Sequence, residues 1–519
     1  MDRWRGVDQR RHGPVPRDLV RRPAVVLGFV GDLAAARRLG LTGALLMAVG
    51  SLGAGALPVP NPLFGVRVLG LPARNDTLAI ALTYAGMGLL VLAWVRVALM
   101  PRDPHTRPGS GLVRTAVTWA APLALAPPLF SRDVYSYLAQ GALLSRGLNP
   151  SVVSPAAGLG VDDPLVRSIP TLWRDTPSPY GPLFLMLAHG ISRLSGDDVV
   201  LGVLAHRAVA LAGLAAVAWA LPRLARRFGV AADRALWLGA ANPLMLFHVV
   251  SGAHNDALML GLLLVGVEIG LRAGNRLLDP HLLAGAAVVV CASAVKLPAL
   301  LALGFLGIAW AQGRGGRLPD VAKVAVVLLA VTVVVDTVLS DIAGVGWAWL
   351  GALYVPGLAL SWMSPMTDLG LLAGGFGVLA GLGDHTASVL GVSQLVGGAA
   401  AAVICIRLLL AALRGRLDPL AGLAAGTAAV VVLGPSLQPW YLLWAVVPMA
   451  ATAALPRFRR TALAASAVLA VVTVPSGSDF GFHVYQLPTA VVAAAAVFGV
   501  VLLAEGRALR PRHSEQFGR

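Results

Sequence analysis

Acidic and cationic residues stand at the ends of long apolar runs or a short way inside them. The acidic residues are Asp133 and Asp256, and the cations are Arg207 and Lys296, with Arg132 beside the first carboxylate. A carboxylate can take the proton of a hydroxyl group. Cations held beside a membrane can bind the phosphate of a lipid. These residue types together predict group transfer between a lipid phosphate and a hydroxyl group, with Asp133 as the base.

Aromatic and amide side chains accompany these charges in the same segments. Ring faces such as those of Trp173, Tyr180 and Trp440 suit the face of a sugar, and nearby amides suit its hydroxyl groups. The residues predicted to bind sugar or acceptor are Asp256, His254, Asn255, Tyr135, Tyr137, Trp173, Tyr180, Gln438, Trp440 and Tyr441. The cations predicted to bind a donor phosphate are Arg207, Lys296 and Arg132.

Simpler structural roles are open for the same residues. Asp133 and Asp256 both stand where a helix can begin, and a carboxylate there can cap it. Lys296 can extend to the membrane surface, and Arg207 can pair with a lipid headgroup. The aromatic residues can form a belt at the membrane boundary. Asp162, Asp163 and Asp175 suit an ordinary polar loop, so no metal ligand is predicted.

The composition requires a membrane. Of 519 residues, 57% are hydrophobic and 13% are charged, with a mean hydropathy of +0.76. Soluble chains have about 25% charged residues. The net charge of +16 resides mainly in short arginine-rich loops between apolar runs, which is the positive-inside pattern of membrane proteins. We therefore expect membrane lipids as partners and no nucleic acid.

The apolar runs predict an all-α polytopic membrane protein with about fourteen transmembrane helices. The basic loops fall on one side, which places both termini in the cytoplasm. The predicted regions are a basic tail at 1–38, a membrane domain at 39–504 with extracytoplasmic loops at 131–198 and 340–389, and a basic tail at 505–519. Helices lying in the plane of the membrane are expected in both loops.

Helix breaks explain how distant segments meet. Lys296 and Pro298 separate two short apolar runs, and such a broken pair holds a cation at depth only where it lines a cavity. The polar groups gather near one predicted leaflet, and no internal repeat is visible. A transporter or flippase would spread polar groups through the bilayer, so this alternative is less well supported. A non-catalytic scaffold would leave Asp133 dispensable.

Five motifs resemble those of actinobacterial polyprenyl-phosphomannose-dependent alpha-1,6-mannopyranosyltransferases of the B type. They are DVYSYLAQGALLSRGLNP (133–150), TPSPYGPLF (176–184), ANPLMLFHVVSGAHNDALM (241–259), VKLP (295–298) and GPSLQPWYLLW (434–444). The resemblance extends over residues 39–504. It implies a fold of the GT-C glycosyltransferase type, with Asp133 at the active site in the first large outer loop.

The resemblance also implies the substrates and the location. The donor would be polyprenyl phosphomannose and the acceptor a growing lipid-linked mannan, the backbone of lipomannan and lipoarabinomannan. The enzyme would lie in the bacterial plasma membrane with its active site on the extracytoplasmic side. We expect an inverting monomer that requires no cofactor, although a divalent metal is compatible with it. A related enzyme using another polyprenyl-phosphate sugar, such as arabinose, is the alternative of the same design.

Overall fold

A computed structural model describes residues 32–100, 110–477 and 485–508. This part of the chain is helical, without strands. Its first helices are α1 (Leu33–Ala54), α2 (Asp76–Leu99), α3 (Ser110–Leu125), α4 (Asp133–Ser145), α5 (Pro155–Leu159), α6 (Pro164–Ser168), α7 (Thr171–Arg174), α8 (Pro182–Ser195), α9 (Val199–Arg227) and α10 (Ala232–Gly239). The predicted all-α fold is confirmed. Most of the N-terminal tail predicted at 1–38, and the tail beyond 508, lie outside the described residues.

The second half of the fold begins with a π-helical segment at Met245–Ser251. The helices that follow are α11 (Asp256–Gly270), α12 (Pro280–Ser293), α13 (Leu301–Gly313), α14 (Leu318–Ala343), α15 (Pro365–Leu379), α16 (Thr386–Leu413), α17 (Pro419–Leu433), α18 (Leu442–Ala450), α19 (Pro456–Val472) and α20 (Leu487–Ala508). Short 3-10 turns precede α13 and α18. At this end of the bundle, α11, α13 and α18 are therefore each preceded by a short π-helical or 3-10 segment.

Six helices in the described ranges are long and apolar enough to cross a membrane. The π-helical segment and α11, bent by 111° at their break, make a seventh if they count as one span. Several other apolar helices, such as α12 and α17, have fewer than 18 residues. A polytopic membrane protein is confirmed, and the count of about fourteen spans stays a prediction.

The region 340–389, predicted as a second outer loop, contains an apolar helix. This helix, α15, packs antiparallel against α16: a Cβ atom on Gly370 would lie 2.7 Å from Cα of Leu390, and one on Gly374 would lie 2.7 Å from Cα of Thr386. Such close approach needs residues without side chains. The pair forms a hairpin at residues 380–385.

The arginine-rich loops and the polar segments lie at opposite ends of the helices. Asp256 begins α11 and Arg272 follows its end, about 24 Å away at 1.5 Å per residue. At the arginine end, Glu268 accepts a 3.0 Å bond from Arg272 and lies 3.7 Å from Arg227, so α9 and α11 are tied together there. The two ends thus have different chemistry, as the sequence predicts.

Close packing of α9 on α11 fixes the polar end. A Cβ atom on Gly213 would lie 2.4 Å from the carbonyl carbon of Ala257, so a larger residue would push the helices apart.

The backbone is strained in the same region. Phe130 has a φ of 70° and Ala253 a φ of 55°, values that residues other than glycine seldom adopt. Each strained residue lies within three positions of a predicted site carboxylate, and such strain is often found at functional sites.

Candidate active site

Asp133 is the first residue of α4, directly after the turn that leaves α3. Its backbone N–H donates to the hydroxyl oxygen of Ser131 over 3.1 Å, which sets the start of the helix. The carboxylate itself is 15% exposed. It is therefore mostly shielded but open to a substrate.

The surroundings of Asp133 make its carboxylate more basic. Burial raises its pKa from 3.8 to about 6, and the negative charge of Asp256 adds to the increase. The ammonium group of Lys296 opposes it, as do hydrogen bonds from Trp173 and Ser131. A carboxylate with a pKa near 6 is ionised at neutral pH and accepts a proton more readily than an ordinary aspartate.

His254 lies between the two carboxylates. Its Nδ1 atom is 3.6 Å from Oδ2 of Asp133, 4.0 Å from Oδ2 of Asp256 and 3.4 Å from the hydroxyl oxygen of Tyr137. The ring stacks on the indole of Trp440 with centroids 4.0 Å apart. All three distances are longer than those of ordinary hydrogen bonds, and catalytic contacts often shorten once substrate is bound. His254 is therefore placed to orient Asp133.

Asp256 is fully buried and has two strong partners. Nζ of Lys296 lies 2.8 Å from Oδ2, and Nε1 of Trp444 donates to Oδ1 over 2.6 Å. Because each oxygen of this buried carboxylate already has a donor, Asp256 is less open to a substrate hydroxyl group than Asp133. Asp256 therefore holds the ammonium group of Lys296 in place, and its predicted contact with sugar or acceptor stays a prediction.

Lys296 lies in the break between α12 and α13, just before Pro298. Its ammonium group faces three aromatic rings, with centroids at 5.7 Å for Tyr180, 5.1 Å for Tyr441 and 5.6 Å for Trp444. Cation–π contacts stabilise the charge without using its N–H donors. With 11% exposure the ammonium retains donors for an anion that enters the site.

A cluster of aromatic side chains lies beside Lys296 and Asp256. Tyr137 packs edge-on against Tyr180 at 5.3 Å and against Phe184 at 4.9 Å. Burial raises the pKa values of Tyr137 and Tyr180 well above 10, so both hydroxyl groups keep their protons. Tyr135 turns the other way and donates to the carbonyl of Ala56 over 2.6 Å, so it anchors α4 and does not face the carboxylates.

Arg207 is 1% exposed, and its guanidinium donates to four backbone carbonyls. The distances are 2.8 to 3.0 Å, and the acceptors are Ala124, Ala126, Val250 and Ser251. These contacts connect the end of α3 with the end of the π-helical segment. The phosphate-binding role predicted for Arg207 has no support in this arrangement, and we assign it a structural role.

The other predicted residues differ in their burial and in their hydrogen bonds. The amide of Asn255 is buried, and both of its polar atoms lack a hydrogen-bond partner among the described residues. Arg132 donates to the carbonyl of Ser168 over 3.4 Å and is half-buried beside Asp133. Gln438 precedes the 3-10 turn of Trp440 and is half-buried.

Sequence reasoning did not select Trp444 or His248 as site residues. Trp444 follows Tyr441 by one helical turn, and this spacing was the available signal. His248 lies in the π-helical segment, 5.1 Å from the ring of Trp440, and both ring nitrogens lack a partner among the described residues. A π-helix was not predictable from the local residues, although such segments are frequent at functional sites.

The site combines the partly exposed carboxylate of Asp133, whose pKa is raised, with the ammonium group of Lys296, which faces three aromatic rings. Aromatic rings that could stack on a sugar lie beside them. This set can remove a proton from a hydroxyl group while stabilising negative charge on a leaving group. No group of three or more His, Cys, Asp or Glu side chains within 32–100, 110–477 and 485–508 is arranged to hold a metal ion.

Two family models match the chain. One, described as alpha-(1->6)-mannopyranosyltransferase, N-terminal domain, matches residues 37–312, and the other, the MptB C-terminal domain, matches residues 366–503. The first region contains Asp133, His254, Asp256 and Lys296, and the second contains Trp440.

Relatives with the same description align over most of their length. An alpha-(1->6)-mannopyranosyltransferase of Mycobacterium tuberculosis is 41% identical, over 91% of this chain and 87% of the relative. A Mycolicibacterium smegmatis relative is 43% identical, over 88% of this chain and 86% of its own. Alpha-(1->6)-mannopyranosyltransferase B of Corynebacterium glutamicum is 38% identical, over 85% of this chain and 77% of its own.

Proposed function

Because this chain belongs to the alpha-(1->6)-mannopyranosyltransferase family and is a mannosyltransferase, we propose that it transfers mannose from polyprenyl monophosphomannose to a lipid-linked mannan. The product would extend the alpha-1,6 backbone of lipomannan and lipoarabinomannan. The observation that carries the proposal is that one buried site contains both a carboxylate of raised pKa, Asp133, and a cation that faces aromatic rings, Lys296. A lipid phosphate leaving group requires such a cation, and a sugar hydroxyl requires such a base.

In the proposed mechanism Asp133 takes the proton from the 6-hydroxyl group of the acceptor mannose. The oxygen forms a bond to the anomeric carbon as the bond from that carbon to the phosphate oxygen breaks. The polyprenyl phosphate leaves with the bonding electrons, and Lys296 and Arg132 balance its charge. Attack from the opposite face converts a beta-linked donor into an alpha product, and needs one base and no covalent intermediate.

The proposed location follows from the two ends of the helices. Arginine-rich loops at one end favour the cytoplasm, so the site would face the outside of the bacterial plasma membrane and both termini the cytoplasm. In this topology 39–504 is the catalytic domain, with outer loops at 131–198 and 340–389 and basic tails at 1–38 and 505–519. The aromatic rings of Tyr180, Trp440 and Trp173 would contact the sugars.

The test compares purified wild type and Asp133→Asn in detergent. Each receives labelled polyprenyl phosphomannose with a short alpha-1,6-mannoside, and in a second reaction labelled GDP-mannose. We expect label only from the lipid donor, and at least about a hundredfold loss in the variant, the low end of what a general base supplies. Transfer from GDP-mannose would refute the donor assignment, and so would transfer from labelled polyprenyl-phosphate arabinose, supplied in a third reaction, in place of transfer from the mannose donor. Full activity of a folded Asp133→Asn would refute the base.

A further inference from the structure

His248 and His254 are two fully buried histidines at the turn that joins the π-helical segment to α11. Their ring centroids are 6.2 Å apart. Both rings pack against the indole of Trp440, with centroids at 5.1 Å and 4.0 Å. The backbone N–H of His254 also donates to the carbonyl of His248 over 3.4 Å. This turn therefore fixes the position of one imidazole ring relative to the other.

The two edges of the His254 ring have different neighbours. The Nδ1 edge faces the carboxylates of Asp133 and Asp256. The other edge, with Cδ2 and Nε2, faces the turn, since a Cβ atom on Gly252 would lie 3.1 Å from Cδ2. Nε2 is shielded from solvent and has no hydrogen-bond partner among the residues that the structure describes. This nitrogen therefore requires a partner on the side away from the carboxylates.

The charge around His254 determines what that partner must be. Burial and the ammonium group of Lys296 hold the pKa of His254 well below its usual value, so the ring is neutral. A neutral imidazole has a proton on one nitrogen and a lone pair on the other. The two carboxylates favour the proton on Nδ1, because their oxygens repel a nitrogen lone pair. Nε2 is then an acceptor, and a buried acceptor without a donor is costly.

His248 can supply the donor. A neutral imidazole always has one N–H group, and both ring nitrogens of His248 are buried without a partner in the described part of the chain. The ring is held between Phe130, at 5.4 Å, and Trp440. One water can bridge two polar groups that are too far apart for a direct bond. The hydroxyl group of Ser251, buried and unpartnered in the same turn, adds to the polar surroundings that a buried water requires.

We propose that His248 is a positioning residue of the transfer reaction, which donates through one bound water to Nε2 of His254 and so keeps the proton of that ring on Nδ1. The inference rests on the proposed function, in which Asp133 is the base. With its proton on Nδ1, His254 donates to the carboxylate of Asp133 and orients it. With the proton on Nε2, the ring would present a lone pair to the carboxylate, and this contact would be lost.

The first test observes the tautomer of His254 by NMR. Full-length protein in detergent, containing histidine labelled with nitrogen-15 and no substrate, is compared with His254→Gln to assign the signals of that ring. We expect the proton on Nδ1 in wild type and in His248→Gln, which keeps an N–H donor, and a shift toward Nε2 in His248→Phe. A wild-type ring that has its proton on Nε2 and accepts from Tyr137 at Nδ1 would overturn the inference, as would an unchanged tautomer in His248→Phe. Because no sugar is transferred, this result does not depend on the proposed reaction.

The second test measures transfer per folded molecule. Replacing the group that fixes the tautomer of a functional histidine typically costs 10–100-fold, so kcat should fall about tenfold in His248→Phe with little change in KM. His248→Gln should recover most of the rate, and His248→Met is a second apolar replacement if the phenylalanine variant does not fold. The matched control is His206→Phe. His206 is also buried, with an unpartnered Nε2 among the described residues, but its ring packs on Tyr137 and Phe184.

We expect His206→Phe to keep a kcat close to that of wild type. Equal losses in His206→Phe and His248→Phe would show a general effect of removing a buried histidine and would contradict a positioning role for His248. A glutamine variant as slow as His248→Phe would also contradict it, because the N–H donor would then not be what matters.

Discussion

Lys296 and Asp256, 40 positions apart in the chain, form a 2.8 Å ion pair at the centre of the candidate site. The carboxylate is fully buried, and its second oxygen is taken by the indole N–H of Trp444. The start of α11, the break between α12 and α13, and helix α18 are thereby held together. The pair explains why a cation remains ordered at this depth in a membrane protein, where an isolated charge would be costly.

Asp256→Asn should both destabilise the protein and impair transfer. Removing one partner of a buried ion pair costs about 3–5 kcal/mol, because the other charge is left uncompensated. We expect a lower midpoint of thermal unfolding in detergent and a higher KM for the lipid donor. The double variant Asp256→Asn, Lys296→Met should recover much of the stability but no activity. A single variant that unfolds like wild type would contradict this assignment.

The rate should depend on pH through Asp133. Its pKa is raised to about 6, and the base acts in its ionised form, so kcat/KM should fall as the pH drops through 6 and level off above it. The proposed donor is a phosphodiester with no ionisation near that pH, so its own titration would not contribute to the profile. A profile measured between pH 4.5 and 8.5 on wild type checks this. A flat profile down to about pH 4 would indicate that burial does not shift this carboxylate.

Much of the site was predictable because its residues stand out against an apolar background. Asp133, His254, Asp256 and Lys296 lie at the ends of apolar runs, where a membrane chain rarely places ionisable groups without a reason. The structure brings these four together. The helical fold and the separation of an arginine-rich end from a polar end were likewise predictable from hydropathy and charge.

What the sequence could not supply is the direction of each side chain. Arg207 and Lys296 are both cations near the predicted outer end of an apolar run. In the structure, however, Arg207 donates to four backbone carbonyls, whereas the ammonium group of Lys296 faces aromatic rings. Tyr135 and Tyr137 are two residues apart on one helix and therefore point to different sides. The count of spans was also less predictable, because several apolar helices are too short to assign by length alone.

His254→Gln should slow the chemical step without weakening donor binding. The ring lies 3.6 Å from the carboxylate of Asp133 and is held by stacking on Trp440. A small misplacement of a catalytic group costs about a hundredfold in rate. We expect kcat to fall by about that factor, with little change in KM, and the thermal midpoint to stay close to wild type. Trp440→Phe, which keeps a ring against the imidazole, serves as the milder control, and equal losses in both variants would argue against a positioning role for His254.

Arg207 offers the sharpest separation of a structural role from a phosphate-binding one. Arg207→Met leaves four buried carbonyls without a donor, and each unsatisfied group costs about 1–3 kcal/mol. Lysine has one compact ammonium group and cannot span the four acceptors, so Arg207→Lys should also be destabilised. We expect both variants to lose folded protein and total activity in parallel, measured by thermal unfolding and by a transfer assay, while transfer per folded molecule stays close to that of wild type. If Arg207→Lys folds normally but loses donor affinity, then Arg207 binds the phosphate after all, as its place in the sequence first suggested.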